Sequence, residues 1–316
     1  MSRSRKKSGA SNVLGPIILV LVGLVVLITL LLQGHNVALA NPKGLIAGEQ
    51  FKLMVLTVGI MLVIGISALA ALYFVAWRYR ESNAKVKRDA NAGHSKLLNV
   101  GMWLVPGAFA VVLASIMVPA TYRLEPQKQI AANAENMTIQ VIALRWKWLF
   151  IYPEQNIATV NYVQVPTGTP VTFELTADEA PFSSIWIPNW GGMMHVMSGG
   201  HINRLNLLAD TPGEYPGLSA EINGAGFAGM KFIASATSQQ DFDAWVREVS
   251  LTSDELSDTE YERLLEPSEN NPQAFYSLTN GDLYAKVLMK YAGGSHSRHT
   301  EMESEPAIQD MEQMGH

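Results

Sequence analysis

The stretch LSAEINGAGFAGM, residues 218–230, decides how the rest of the chain is interpreted. Its three glycines and its asparagine are typical of a turn-rich loop. The stretch ends in Met230, whose thioether is a soft metal ligand, yet the 316-residue chain contains no cysteine. Because a copper–thiolate centre needs cysteine, this absence excludes such a centre, and it excludes structural disulfide bonds as well.

The spacing within this stretch resembles the copper A loop of cytochrome c oxidase subunit II, where two cysteines, a histidine and a methionine bind two copper ions. Ser219 and Asn223 stand at the cysteine positions, and Phe227 stands at the histidine position. The segment SSIWIP, residues 183–188, resembles the one that holds a further histidine of that family. The corresponding positions in this chain are Ser183, Ser219, Glu221, Asn223, Phe227 and Met230. A copper A frame that lacks its thiolates and imidazoles resembles subunit II of the bo-type ubiquinol oxidases, which are haem–copper oxidases.

This resemblance implies a function and a set of partners. The chain would be the non-catalytic subunit II of a proton-pumping quinol oxidase, which couples ubiquinol oxidation to the reduction of dioxygen to water. It would stabilise and orient subunit I, in which the resemblance places the haems and copper B. The chain itself is expected to hold no cofactor, no metal and no catalytic residue. Smaller membrane subunits, lipid and ubiquinol are further expected partners, and nucleic acid is not.

Three long apolar runs in the first part of the chain predict membrane segments. Leu14–Leu32 follows four basic residues and leads to a small-residue site at 38–40, so residues 1–40 are either a cleaved signal peptide or a retained anchor. Phe51–Trp77 carries only the charge of Lys52, and Leu97–Tyr122 carries none. These two runs predict a transmembrane helical hairpin within residues 41–123.

Charge divides the chain into two parts. Residues 1–123 carry a net charge of +10 and residues 124–316 carry −15, with histidine taken as neutral. The loop 78–96 has six basic residues against two acidic ones, which is typical of a cytoplasmic loop. The part after Arg123 is therefore expected in the periplasm, and the whole chain is expected to be a multi-pass protein of the bacterial inner membrane.

Short apolar runs separated by turn residues predict a Greek-key β-sandwich over residues 124–237. The run Thr138–Tyr152 alternates as a strand does, with Trp146 and Trp148 on one face. The resemblance narrows the sandwich to a cupredoxin fold. The predicted fold class is a membrane-anchored all-β protein: a signal or anchor, two transmembrane helices, and a cupredoxin-like domain with a helical C-terminal extension.

That extension occupies residues 238–292. Ser238 is predicted to cap a first helix, and Ser253 to cap a second one that ends at Leu264. Gly281–Tyr291 is a third candidate helix. Residues 293–316 are polar and acidic without apolar periodicity, so we expect a disordered tail.

An alternative function is a membrane-anchored cupredoxin that carries copper or relays electrons through methionine and histidine ligands. The residues available for this are Met193, Met194, His195, Met197, His201 and Met230, with further histidines and methionines in the tail. Packing methionines and surface histidines account for the same composition without a metal.

One membrane position bears on proton uptake. Many members of the family have a glutamate near the cytoplasmic start of their second helix, at the mouth of a proton channel. The resemblance places Asn99 at this position. Because asparagine does not ionise, we expect proton entry to depend on the partner subunit, on water or on His94.

Overall fold

The computed structural model describes residues 37–80, 83, 96–130, 135–278 and 281–292. The chain divides into two units, residues 1–41 and 42–316. In the described part of the first unit, residues 37–41, a 3₁₀ turn spans Ala38–Ala40. The predicted signal or anchor before residue 37, most of the loop 78–96, His94 and the tail from residue 293 lie outside the described residues.

Two long helices follow, α1 (Leu45–Arg78) and α2 (Lys96–Arg123). Both are long and apolar enough to cross a membrane, which confirms the two helices predicted from the sequence. At 34 residues α1 is about 50 Å long, well beyond the roughly 30 Å of a bilayer core. The hydroxyl of Thr57 lies 3.8 Å from the sulfur of Met117, and Glu49 lies 3.8 Å from Arg123. The end of α2 is therefore beside the start of α1.

The predicted β-sandwich is confirmed, and it is built from two sheets. The strands are β1 Met137–Leu144, β2 Lys147–Tyr152, β3 Ile157–Val160, β4 Tyr162–Pro166, β5 Val171–Ala177, β6 Ser183–Ile187, β7 Gly191–Val196, β8 Asn203–Leu207, β9 Gly213–Ser219, β10 Lys231–Thr237, β11 Glu255–Leu256 and β12 Ala274–Leu278. The seven-stranded sheet has the order β11-β12-β3-β2-β1-β5-β8, and the five-stranded sheet has the order β4-β10-β9-β6-β7. The pairs β1–β5, β4–β10 and β11–β12 are parallel, and the other pairs are antiparallel.

The prediction of one strand through Trp146 is wrong. Leu144 pairs with Lys147, so Arg145 and Trp146 form a two-residue hairpin turn between β1 and β2. Trp146 has a φ of 61°, a left-handed conformation that ends a strand. It therefore does not share a strand face with Trp148, which is fully buried between the sheets.

Apolar side chains fill both faces of the seven-stranded sheet. One core lies between the two sheets and includes Trp148, Phe150 and Phe232. A second core contains Ile142, Leu149 and other residues of β1–β3, covered by the C-terminal extension. This explains why all six residues of β2 are buried, instead of every second one.

The C-terminal extension contains the expected helices and two strands that the sequence did not suggest. Helix α3 (Gln239–Ser250) begins after Ser238, whose hydroxyl accepts from the amide of Asp241 at 3.1 Å, so this predicted cap is confirmed. Helix α4 (Asp258–Leu265) is capped by Ser257 and not by Ser253, because residues 255–256 form β11 first. Helix α5 spans Leu283–Ala292, and β12 pairs with β3.

Candidate functional site

The positions that resemble a copper A site converge at one end of the five-stranded sheet. Ser183 is the first residue of β6 and Ser219 is the last of β9, and these strands are neighbours. The loop from 220 to 230 includes a 3₁₀ turn at Ala225–Gly229 and returns to β10. The amide of Ser219 donates to the carbonyl of Met230 at 3.1 Å, which closes this loop at its base.

Asn223 joins the two sides of the site with its side-chain amide. Its Nδ2 donates to Oγ of Ser183 at 2.8 Å and lies 3.2 Å from Sδ of Met230. The Ser183 hydroxyl in turn donates to the carbonyl of Pro181 at 2.9 Å. All three side chains are buried, and Oδ1 of Asn223 has no hydrogen-bond partner among the residues that the structure describes. We call Ser183, Asn223 and Met230 the Asn223 cluster.

The other three positions contribute less to this arrangement. The Ser219 hydroxyl makes a long bond of 3.3 Å to the backbone carbonyl of Glu221, not to another cluster member. Glu221 and Phe227 are both half-buried. Phe227 belongs to the 3₁₀ turn, and its amide donates to the carbonyl of Gly224 at 3.2 Å. The structure thus brings three of the six positions into one cluster.

These residues do not fit a copper A centre. Two bridging thiolates and two imidazoles are replaced by hydroxyl, amide and phenyl groups, and only the methionine thioether is left as a soft ligand. The Asn223 amide occupies the space between Ser183 and Met230 with hydrogen bonds of its own. A neutral amide therefore connects strand ends that a metal would connect in a copper A domain.

Trp146 covers the loop, a role that sequence reasoning missed. Its indole Nε1 donates to the carbonyl of Asn223 at 3.2 Å. A Cβ on Gly226 would lie 2.4 Å from the indole, so only glycine allows this close contact. Gly224 has a φ of 116°, which also favours glycine. The glycines in the loop were the available signal, because they leave space for a large neighbour.

Comparison with known proteins agrees with the geometry. The chain is 41% identical to the cytochrome bo(3) ubiquinol oxidase subunit 2 of Pseudomonas putida over 269 residues, which is 85% of each protein. It is 36% identical to the corresponding subunit of Pseudomonas aeruginosa over 90% of this chain and 88% of that protein. It is 37% identical to the ubiquinol oxidase subunit 2 of Acetobacter aceti over 84% of this chain and 86% of that one.

The chain belongs to the quinol oxidase subunit 2 family. Residues 252–295 also match the COX Aromatic Rich Motif family. Among solved structures, the periplasmic domain of cytochrome oxidase subunit II of Bradyrhizobium japonicum is 18% identical, with a TM-score of 0.35 over 38% of this chain and 96% of that one. The homologues support the quinol oxidase interpretation over the copper-carrier alternative.

The aromatic-rich motif of this quinol oxidase subunit 2 is attached to the sandwich by a buried carboxylate. Asp178 follows β5 and is 1% exposed. Its oxygens accept from the hydroxyls of Tyr261 and Tyr291, each at 2.7 Å, and from the ammonium of Lys290 at 2.8 Å. We call these four residues the Asp178 cluster. Nothing in the local sequence predicts it, because Asp178 lies 83 to 113 positions before the three residues that donate to it.

Electrostatics keep the three donors of this cluster protonated. Burial lowers the pKa of Lys290, but the carboxylates of Asp178 and Glu179 outweigh it and raise that pKa above its ordinary value. Burial, followed by the hydrogen bond to Asp178, raises the pKa of Tyr261. At neutral pH the donors therefore stay protonated. Beside the cluster, an open cavity of about 360 Å³ is lined by Arg145, Trp146, Glu179, Ala180 and Pro181.

A second polar contact attaches the same motif. Lys147 of β2 is buried, and its ammonium donates to the carbonyls of Leu264 at 2.8 Å and Glu266 at 2.9 Å, at the end of α4. Burial lowers the pKa of Lys147. A cation at this place satisfies carbonyls that the helix itself leaves without donors.

The methionines and histidines of the alternative do not form one site. Met230 is buried in the Asn223 cluster, whereas Met193 and His195 lie on the opposite, outer face of their sheet. Nδ1 of His195 is 2.9 Å from the hydroxyl of Ser184. Within the described residues there is no group of three or more histidine, aspartate or glutamate side chains that could hold a metal.

Asn99 lies in the first turn of α2, and its side chain is exposed. An amide does not release a proton by ionising at neutral pH. That proton entry does not depend on the Asn99 side chain stays a prediction.

Proposed function

We propose that this chain is the subunit of a proton-pumping quinol oxidase that carries no redox centre of its own. It belongs to the quinol oxidase subunit 2 family, and its relatives are named as subunits of ubiquinol oxidases. The complex oxidises ubiquinol, reduces dioxygen to water and moves protons across the bacterial inner membrane. The haems and copper B reside in the partner subunit I.

The observation that carries this proposal is the Asn223 amide. It bonds to Ser183 and is close to Met230, so the vacated ligand positions are joined by neutral groups. None of these groups changes redox state, and electrons from quinol therefore do not pass through this domain. The chain acts by binding: it holds and orients subunit I, with no catalytic residue in Ser183, Ser219, Glu221, Asn223, Phe227 or Met230.

The helices supply the membrane half of this role. Side chains of α1 and α2 are exposed along most of both helices, which leaves them to lipid and to partner subunits. Residues 41–123 act as the membrane hairpin, residues 124–237 as the periplasmic sandwich and residues 238–292 as its extension. Single cysteines at Ser82 and Ser238 are expected to react with impermeant reagents from opposite sides of the membrane.

One experiment tests the proposal. The complex is purified from membranes through a tag on this chain, and the co-purifying polypeptides, the haem and copper content and the electron donor are determined. We expect a haem-bearing partner, brisk oxidation of ubiquinol and no copper assigned to this chain. Rapid oxidation of reduced cytochrome c with quinol ignored, or recovery of this chain without any haem protein, would overturn the proposal.

A second measurement addresses Asn99. Replacing it with alanine is expected to leave both haem recovery and proton pumping near normal, because an asparagine does not conduct protons by ionising. A severe pumping defect with normal haem recovery would show that this position takes part in proton uptake.

A further inference from the structure

The outer face of β6 and β7 is apolar and exposed. Trp186 of β6 and Met193 of β7 are cross-strand partners, 36% and 41% exposed. Because side chains alternate along a strand, Ser184 shares the face of Trp186, and His195 shares the face of Met193. Phe182 lies directly before β6 and Met197 directly after β7, and both side chains are exposed. The Phe182 ring stacks on His195 with 4.9 Å between centroids. We call Phe182, Trp186, Met193, His195 and Met197 the outer face.

Charge is missing from this whole region. Residues 181–203 contain no aspartate, glutamate, lysine or arginine, whereas residues 124–316 together contain 25 acidic and 10 basic residues. A solvated surface of this domain would be expected to carry several charges over such a length. Depletion of charge together with tryptophan, phenylalanine and methionine is the composition of the buried centre of an interface. A contiguous exposed apolar patch also marks interaction sites.

The position of the outer face indicates what covers it. The amide of Ala47 in α1 donates to the carbonyl of Trp190 at 3.1 Å, and the amide of Lys43 donates to the carbonyl of Asn189 at 2.7 Å. These bonds join the start of β7 to the start of α1. Met193 lies three residues after Trp190, which is about 10 Å along the strand from this junction. A protein that packs on α1 and α2 within the membrane and extends beyond the membrane surface would therefore contact the outer face.

We propose that the outer face docks on the extramembrane surface of the haem-bearing subunit, through an uncharged, apolar patch of that partner. This proposal rests on the proposed function, because the haem-bearing subunit is the partner that the proposed function assigns to this chain. A lipid surface is disfavoured, since the face lacks the lysines and arginines that attract lipid head groups. A second copy of this chain is the other outcome that the experiment distinguishes.

Site-specific photo-cross-linking in the complete complex tests the docking. Benzoylphenylalanine is placed at Met193 or, as a matched control, at Leu251, which is 85% exposed at the end of α3. Helix α3 contacts β3, β4 and β12, at the opposite edges of the two sheets from β7 and β8. We expect irradiation to join position 193, but not position 251, to the haem-bearing polypeptide. Cross-links from 193 only to lipid or to a second copy of this chain would overturn the docking.

A charge substitution gives an independent result. Met193→Glu puts a carboxylate on the outer face without entering the core, and we expect at least a fivefold loss of haem recovered per tagged chain. Leu251→Glu should recover normal haem. Equal haem recovery from both variants would contradict the docking. If the unaltered chain recovers no haem protein at all, the proposed function fails; if it does but position 193 cross-links elsewhere, only the docking face is wrong.

Discussion

The Asn223 cluster and the Asp178 cluster are both buried and polar, but they connect the molecule differently. Asn223 joins neutral groups within one loop and the adjacent strand, and no described residue donates to its Oδ1. Asp178 receives three hydrogen bonds, one from a cation, and joins the sandwich to helices that follow some 80 to 110 residues later. Hydrogen bonds to charged groups are worth about twice neutral ones. Attachment of the aromatic-rich motif should therefore contribute more to stability than the amide link in the loop.

The largest effect is expected at Asp178. Asp178→Asn keeps the shape but removes the charge that Lys290 and two tyrosine hydroxyls share, so we expect a loss of about 3 kcal/mol in the free energy of unfolding. Urea unfolding of the purified chain in detergent, followed by tryptophan fluorescence, measures it. Glu179→Gln is the matched control, because Glu179 also binds Lys290 but is half exposed. That change should stay below about 1 kcal/mol. Equal losses of stability from Asp178→Asn and Glu179→Gln would show that the buried charge of Asp178 is not what attaches the motif.

The next effect concerns alkaline pH, to which the aromatic-rich motif should respond and the Asn223 cluster should not. Burial, followed by the hydrogen bond to Glu260, raises the pKa of Tyr276 to about 12. A raised pKa means that the folded chain holds the proton more tightly than the unfolded chain, whose tyrosines titrate near 10. This stabilisation is complete below pH 10 and is lost as the pH rises through about 12.

The urea midpoint should therefore fall steeply between pH 10 and pH 12, and less steeply in Tyr276→Phe, which lacks the titrating hydroxyl. The Asn223 cluster contains no group that titrates in this range. Identical pH profiles for the chain and the Tyr276→Phe variant would show that this hydroxyl is not the source of the sensitivity.

A smaller loss is expected at Asn223. Asn223→Ala removes the bonds to Ser183 and Met230, but it also removes a buried oxygen without a partner, and these changes partly offset each other. We expect a net loss of about 1–2 kcal/mol in the same urea experiment. Ser219→Ala, which removes only a 3.3 Å bond to a carbonyl, should change stability by less than about 0.5 kcal/mol. A loss at Asn223 greater than that of Asp178→Asn would reverse the order of the two clusters.

The smallest effect is expected at the N-terminal cap of helix α4, which holds Tyr261 of the Asp178 cluster in place. Ser257 caps the helix that carries Tyr261, and its hydroxyl accepts from the amide of Glu260 at 3.2 Å. Ser257→Ala should destabilise by about 1 kcal/mol. Ser253→Ala is the control, because Ser253 is exposed and caps no helix in the structure. Similar losses from both serines would place the helix start where the sequence first suggested it.

Local signals in the sequence were enough for the helices and for most strands. The apolar runs predict α1 and α2, and Ser238 predicts α3, because membrane length and helix capping are properties of short segments. Ser253 was misassigned because β12, some 20 residues later, pairs with β11 and delays the helix. Trp146 was misassigned because the adjacent strands β1 and β2 pair with each other across it and make it part of a turn. The six positions at the loop could be found by resemblance, but the bond from Asn223 to Ser183 could not. The Asp178 cluster had no signal at all, since its donors lie in another part of the chain.

The start of α1 is bonded to both sheets. The amide of Ala47 binds the carbonyl of Trp190 before β7, and the amide of Leu45 binds the carbonyl of Leu208 after β8. A Cβ on Gly191 would lie 2.7 Å from the Ala47 nitrogen, so the two backbones are too close for any side chain at this position. These bonds fix the sandwich directly to the start of its own membrane helix. Rotation of the helix about its long axis turns the whole soluble domain by the same angle, and the direction in which the domain faces is set within the bilayer.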